Sequence, residues 1–373
     1  MRLLDRYLLR ELLLPFGFCQ GGFFVFWLSF DLFSKLGDFQ KAKMRGLDIA
    51  AFYLFSAPEM LVIMVPVALL LGLLYALTNH ARHHEITAMR AAGISIWRLA
   101  TPYLATGLLL SLALFALNET VVPITHMRAE ELKTRRINPG GARENEVVRN
   151  LGFVNARAGR DWQIGQFNLL SGEMRQPRVK WPLPDGTLCW LYADRAVFTN
   201  GGWAFFNVKE LRQTSPQDPM LVPSLQTNFL IKPAFTETPD EIRSEVAISV
   251  GLGLKKTDPA DIPLAALVGY VRLHPQLSGQ SYAWVHTKLH GRLAAPWACL
   301  VVVLIAIPFG APSGRRNVFV GVASSIFICF AYFVLLRLGF AFGSAGYVPP
   351  WLGAWLPNLV FGGTSVYLVS RVR

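Results

Sequence analysis

Charge is what this sequence has least of. Asp, Glu, Lys and Arg make up 16% of its 373 residues, against about 25% in an ordinary soluble domain. The deficit excludes a single water-soluble globule, and with 53% apolar residues it points to a protein that lives in a bilayer. Cysteine is scarce too. Cys19, Cys299 and Cys329 fall in apolar runs and Cys189 stands alone in the polar middle, so no structural disulfide is expected there. Nucleotide and catalytic signatures are missing. There is no P-loop and no G-x-S-x-G, and the zincin pattern fails because Glu85 is followed by Ile-Thr-Ala-Met. The chain is expected to hold no catalytic residue, metal or cofactor of its own, which argues against a membrane enzyme acting on lipid. RNA-binding motifs, zinc-finger spacings, internal repeats and low-complexity tracts are absent as well. The net charge of +12 is therefore not assigned to nucleic acid.

What is present is a set of long apolar runs. A helical span needs about 20 mostly apolar residues, and six stretches qualify: Leu12–Phe33, Met60–Leu77, Leu99–Leu117, Leu293–Ala311, Val318–Phe342 and Trp351–Ser370. The N-terminal MRLLDRYLLRELLLPFGFCQGG has no small-x-small cleavage site and reads as an uncleaved first span. Residues 123–290 separate the two groups of three and differ in character. ITHMRAEELKTRRI is helical and prolongs the third span. EVVRNLGFVNA, RDWQIGQFNLL, GTLCWLYADRAVFT and WAFFNVKELRQT read as strands, the last two joined at Asn200-Gly201-Gly202. Alternation puts Leu188, Trp190 and Tyr192 on one face and Cys189, Leu191 and Ala193 on the other. A β-sandwich or open β-roll is expected, closed by the helix DIPLAALVGYVRLHP.

Short loops carry Lys and Arg on the cytoplasmic side. Six spans put Arg2, Arg6, Arg10, Arg82, Arg90, Arg98, Arg315, Arg316, Arg371 and Arg373 together, and that side is cytoplasmic. Both termini then face the cytoplasm, and the β region lies outside it. The stretch FSKLGDFQKAKMRG is left on the wrong side for its charge, with Lys35, Lys41, Lys43 and Arg45. A row of ammonium groups there suits a phosphorylated amphiphile. Arg337, amid apolar neighbours in the fifth span, supports the same reading, with an ion pair to Asp31 or Glu59 as its structural alternative.

On the cytoplasmic side, NHARHHEITAMRAAGISIWRLA places His80, His83 and His84 at helical spacing, but no further Cys/His cluster accompanies them. A helix over 79–97 that docks a soluble partner is expected instead. Glu85 would be its anchor, Ile86, Met89 and Ala92 an apolar strip, and Gly93 its end.

These residues resemble a known family, the lipopolysaccharide-export permeases LptF and LptG. The resemblance covers nearly the whole length. It rests on LLDRYLLRELLLPF, APEMLVIMVPVALLLGLLYAL, HHEITAMRAAGISIWRL, LNETVVP and HGRLAAPWACLVVVLIAIPFGA, and most specifically on Glu85-Met89-Ala91-Gly93-Ser95. It implies an α-helical membrane protein with six transmembrane helices (3+3) in the inner membrane of a Gram-negative-type bacterium. The spans would occupy 1–122 and 291–373, with a periplasmic β-jellyroll-like domain over 123–290. It also implies an LptB-like ATPase dimer that uses the ATP, a second permease half, LptC-like and LptA-like periplasmic proteins, and lipopolysaccharide as cargo. In the family pattern Glu85 looks like the coupling-helix Glu, Lys35 and Lys41 like the basic residues ending span one, and Arg337 like a basic residue of span five. Lys43 and Arg45 join them on charge alone. The competing reading is a membrane scaffold or lipoprotein-sorting component whose β domain only binds a partner.

Overall fold

The computed structural model describes residues 3–137, 147–199, 201–215, 218–253, 262–310 and 318–371. Arg2, Arg315, Arg316 and Arg373 of the orientation argument, and Asn200 of the expected hairpin, lie outside them. Two compact units form: Met1–Arg136 with Ala283–Arg373, and Ile137–Tyr282.

The first unit is helical. It holds α1 (Leu3–Lys41), α2 (Gly46–Arg82), α3 (Glu85–Ala91), α4 (Ile96–Ala116), a π turn (Leu117–Val121) and most of α5 (Val122–Ile137). After the second unit come α8 (Gly279–Ala294), a 3-10 turn (Ala295–Trp297), α9 (Ala298–Gly310), α10 (Val318–Ser344) and α11 (Pro350–Arg371). Leu8, Leu12, Leu69, Leu70, Leu73, Tyr103 and Val303 pack its core. Leu14, Phe18, Phe26, Phe30 and Phe33 of α1 stay exposed, as expected where the solvent is hydrocarbon. Among the described residues five helices are long and apolar enough to cross a membrane: Leu3–Lys41, Gly46–Arg82, Ile96–His126, Gly279–Pro308 and Ile326–Ser344. The sixth expected run does form a helix, α11, but stands outside that group.

Sequence irregularities become packing devices. Pro296 has no N–H to continue the α-helix, so the chain tightens at Ala295–Trp297 and the Ala298 N–H bonds the Ala295 carbonyl. The Ala294 carbonyl turns instead to Asn358 Nδ2 of α11, at 2.8 Å, while Asn358 Oδ1 accepts the Tyr332 hydroxyl of α10 at 2.9 Å. A break in one span is thus satisfied by its neighbours, which is the condition for tolerating it in a bilayer. Close approach of α10 to α11 depends on Gly339, Gly343 and Gly353. A Cβ on Gly339 would lie 2.3 Å from the Gly353 carbonyl oxygen, a small-residue crossing of the kind that joins membrane helices.

The second unit is an antiparallel sheet of β1 (Val147–Asn155), β2 (Arg160–Asn168), β3 (Met174–Pro182), β4 (Leu188–Tyr192), β5 (Arg195–Thr199), β6 (Gly202–Ser215) and β7 (Asp218–Lys232), with α6 (Pro239–Gly253) and α7 (Leu264–Leu273) following. β4 and β5 keep one register against both β3 and β6, so they are one strand interrupted at Ala193-Asp194. Counted so, each strand pairs with the next in sequence, which makes an up-and-down meander. The non-consecutive partners of a jellyroll are not among the described pairings. The ladders all skip one row, which crosses Asn150, Gly165, Gln176, Asp194, Asn207 and Asn228. Asn150, Gln176 and Asn207, on alternate strands of that row, have φ near +50°. Left-handed residues break pairing and bend a strand, and aligned across neighbours they crease the whole sheet. The Asn207 side chain donates to Asp194 Oδ2 along the crease at 2.9 Å. The expected alternation in β4 holds, with Cys189, Leu191 and Ala193 buried. Trp162, Phe205 and Phe235 fill the core beside a buried ion pair, Arg160 Nε to Glu237 Oε1 at 2.8 Å, which Asn155 joins.

Gly339→Ala is expected to separate α10 from α11 and cost about 1–3 kcal/mol, whereas Gly22→Ala, with nothing within 4 Å of its new Cβ, should be neutral or stabilising. Thermal unfolding of the detergent-purified protein compares them.

Candidate functional site

The helical unit has two chemically distinct ends. At one, α1 runs out and α2 begins. Phe39 of α1 and Phe52 and Tyr53 of α2 are buried there with edge-on rings, and Ala129 of α5 joins them. Lys35 sits on this cluster. Its Nζ is 3.1 Å from Asp31 Oδ2 and 5.3 Å from the centre of the Phe52 ring. The Tyr53 hydroxyl donates to the same Asp31 oxygen at 3.1 Å. Lys35 is therefore a half-buried, oriented ammonium held against an aromatic face. Asp31 spends its charge on Lys35 and Tyr53, and the described ion pairs do not join it to Arg337.

Lys41, Lys43 and Arg45 are exposed on the turn that follows. The Met44 N–H bonds the Phe39 carbonyl and the Lys43 N–H the Gln40 carbonyl, a Schellman closure that puts Lys43 in the position glycine normally fills. Lys43 adopts φ +49° there, a conformation costing an L-residue about 1–2 kcal/mol. Arg45 starts α2, its backbone N–H bonded to Asp48 Oδ2 at 3.0 Å. The fifth expected cation, Arg337, is exposed on α10, and no described contact joins it to Lys35. It lies toward the same end. Phe340, one turn further along α10, abuts Gly291, and the neighbouring Arg292 approaches Glu119 at the close of α4 at 3.9 Å.

The opposite end is built around Glu85. The expected helix over 79–97 is divided: α2 ends at Arg82, His84 turns left-handed with φ +59°, and α3 is the seven residues Glu85–Ala91. Gly93, with φ +84°, closes α3: its N–H bonds the Arg90 carbonyl and the Ile94 N–H the Met89 carbonyl, so the expected stop is where the sequence placed it. The outward apolar strip is not formed as expected. Ile86 is 7% exposed and, with Met89, packs inward against the core that holds Leu8, Leu77 and Leu99, leaving Ala92 outside. Apolar burial beneath a short helix outweighs presenting those side chains to water.

Glu85 itself turns inward. One oxygen, Oε2, accepts from the Tyr7 hydroxyl of α1 at 2.8 Å and meets Nδ1 of His80 in α2 at 2.7 Å. A carboxylate only accepts, so Nδ1 of His80 carries the proton. Burial alone pushes the Glu85 carboxyl up, but the bonds from His80 and Tyr7 and the nearby imidazoles outweigh it and hold it below the usual value. It therefore stays ionised at neutral pH, and what the pairing contributes is lost only as pH falls through that lowered value. The three histidines part company: His80 is buried, His83 bonds the Asn79 carbonyl and His84 is exposed. Arg98 of α4 reaches Asp5 of α1 at 2.7 Å.

Sequence reading missed Tyr7 and Tyr53, and weighed His80 only as one of three histidines at helical spacing. Each is polar within an apolar run, which is a signal, but their partners lie 22 to 78 residues distant in the case of Tyr53 and Tyr7. No periodicity reaches that far.

A family described as lipopolysaccharide export system permease LptF/LptG matches residues 6–371. A lipopolysaccharide export system permease protein LptG from Escherichia coli (strain K12) is 23% identical over 346 residues, covering 87% of this chain and 86% of that protein. An LptG of the same description from Haemophilus influenzae is 24% identical over 317 residues, with 83% and 81% covered.

If Lys43 is held in place for its charge at the expense of its backbone, Lys43→Gly should raise the free energy of unfolding by up to about 1 kcal/mol. Lys43→Val should lower it by a similar amount. Chemical or thermal unfolding in detergent measures both.

Proposed function

The chain belongs to the LptF/LptG family of lipopolysaccharide export permeases, and we propose that it is one half of a two-permease exporter in the inner membrane, of the G type carried by the relatives named above. It is a permease subunit of a lipopolysaccharide export system, and the rest is inferred from its two ends. In this reading α11 completes six spans, both termini face the cytoplasm, and the Lys35 end lies at the periplasmic surface. Lys35, Lys41, Lys43, Arg45 and Arg337 meet the phosphates of the lipid through charge-assisted contacts. The observation that carries this is Lys35, fixed by Asp31 and Phe52 at a helix end, together with the cations of a turn that tolerates a strained lysine where glycine would fit.

At the other end α3 takes the push of an LptB-like ATPase dimer, with Glu85, Ile86, Met89 and Gly93 as the coupling residues. Met89 and Ile86 would act by seating the helix, since they face the core. ATP is used by that partner and no cofactor is needed in this chain. The creased sheet, in the place of the family's jellyroll-like domain, receives the lipid and hands it to LptC-like and LptA-like proteins.

Lys35→Glu with Lys41→Glu is expected to cut lipid-stimulated ATP hydrolysis and lipid release in reconstituted vesicles on the order of tenfold or more, since two attractive contacts become repulsive. Transport at the wild-type rate would remove the phosphate-binding role. The purified wild-type chain should bring down an ATPase, and a scaffold would not.

A further inference from the structure

We propose that Tyr7 and His80 are positioning residues that make Glu85 a joint between α3 and the span carrying Lys35. The inference rests on the reading of α3 as the helix an ATPase pushes. It assigns Glu85 a role within the chain, where its one bonded oxygen already lies.

Three observations carry it. First, Glu85 Oε2 is shared by two elements, at 2.8 Å from the Tyr7 hydroxyl of α1 and 2.7 Å from His80 Nδ1 of α2. Both donors hold an ionised acceptor, the stronger class of hydrogen bond. Second, the joint is buried on its α2 side, while Tyr7 is 39% exposed and the Glu85 side chain 34%. His80 is 1% exposed, its ring lies 5.6 Å from that of Tyr7, and Ile86 and Met89 close a small apolar cavity with Leu8, Leu99 and Tyr103. His80 Nε2 and the Tyr103 hydroxyl, both buried without a hydrogen-bond partner, border the same cavity. Third, α1 is one helix from Leu3 to Lys41. Tyr7 and Lys35 are about eight turns apart on it, roughly 42 Å.

A displacement of α3 has to move the Tyr7 hydroxyl or break its bond. If the bond holds, α1 moves as a rod, and the Lys35 ammonium moves with it. The second strap, Arg98 to Asp5 at 2.7 Å, ties the start of α4 to the same turn of α1 and keeps that turn from sliding alone. His80 fixes the carboxylate from the α2 side so that Oε2, and not the freely rotating group, meets Tyr7. Spatial adjacency by itself does not establish coupling; a shared element that both ends bias does, and α1 is that element.

Two measurements test it. In the isolated chain, Tyr7→Phe should speed hydrogen exchange of the α3 amides on the order of tenfold, the loss expected for one charge-assisted bond. Glu85→Gln should likewise speed exchange in the first turns of α1, because the joint is reciprocal. In the reconstituted complex, Tyr7→Phe should retain the ATPase yet release about tenfold less lipid per ATP hydrolysed. His80→Leu should do the same, and His80→Asn, whose amide N–H replaces Nδ1–H, should restore the ratio. Tyr7→Phe combined with Glu85→Gln should be no worse than the worse single variant. A Tyr7→Phe complex with the wild-type ratio, or losses that multiply in the double variant, overturns the proposal. A wild-type chain that brings down no ATPase overturns the docking reading instead, and the exchange experiment still decides whether Tyr7 and Glu85 are one joint: unchanged α3 exchange in Tyr7→Phe overturns it.

Discussion

Hydrocarbon offers no hydrogen bonds, and the helical unit is arranged around that fact. Every place where its sequence departs from a smooth apolar helix must find a partner inside the protein. Pro296 frees a carbonyl and Asn358 takes it; Asn358 then has a spare oxygen and Tyr332 takes that. Asp31 in α1 is answered twice, by Lys35 and Tyr53. These polar groups look scattered along the chain but are paired across it. The pairs fall at helix joints and helix ends, where regular backbone bonding stops.

The same constraint separates what each end of the unit does. At the Lys35 end the cations face outward on a tight turn, and the aromatic cluster of Phe39, Phe52 and Tyr53 holds the turn in place. At the Glu85 end the acid faces inward and the basic partners come from other helices. In the proposed reading, one end meets an anion that arrives from outside the chain. The other is built to keep three of the chain's own elements together. In the exporter proposed above, the first end would select lipid and the second would transmit force.

Much of this was legible in the residues. Apolar runs of membrane length announced their helices because hydropathy over about 20 residues leaves few alternatives. Gly93 marked the end of α3 because a left-handed close favours glycine, and the alternation of Cys189, Leu191 and Ala193 marked their buried face. The reading failed where two solutions share one pattern. Ile86 and Met89 have the spacing of an apolar strip, and spacing cannot say whether the strip faces a partner or the chain's own core. Residues 79–97 look like one helix because nothing local requires His84 to turn left-handed. Tyr7 and Glu85 were both visible as polar residues, but only the folded α1–α2 hairpin brings them together.

The crease across the sheet has a consequence for how this protein varies. Six strands share one skipped row, so the number of residues between each hairpin tip and that row is counted in common. A residue gained at the tips near Ala158, Gly172 or Asp185 merely lengthens a loop. A residue gained between tip and crease would slide one bend out of line with its neighbours and flip the faces beyond it. Natural variants should thus differ in length at the turns while each strand arm keeps its span, like panels hinged on a single pin.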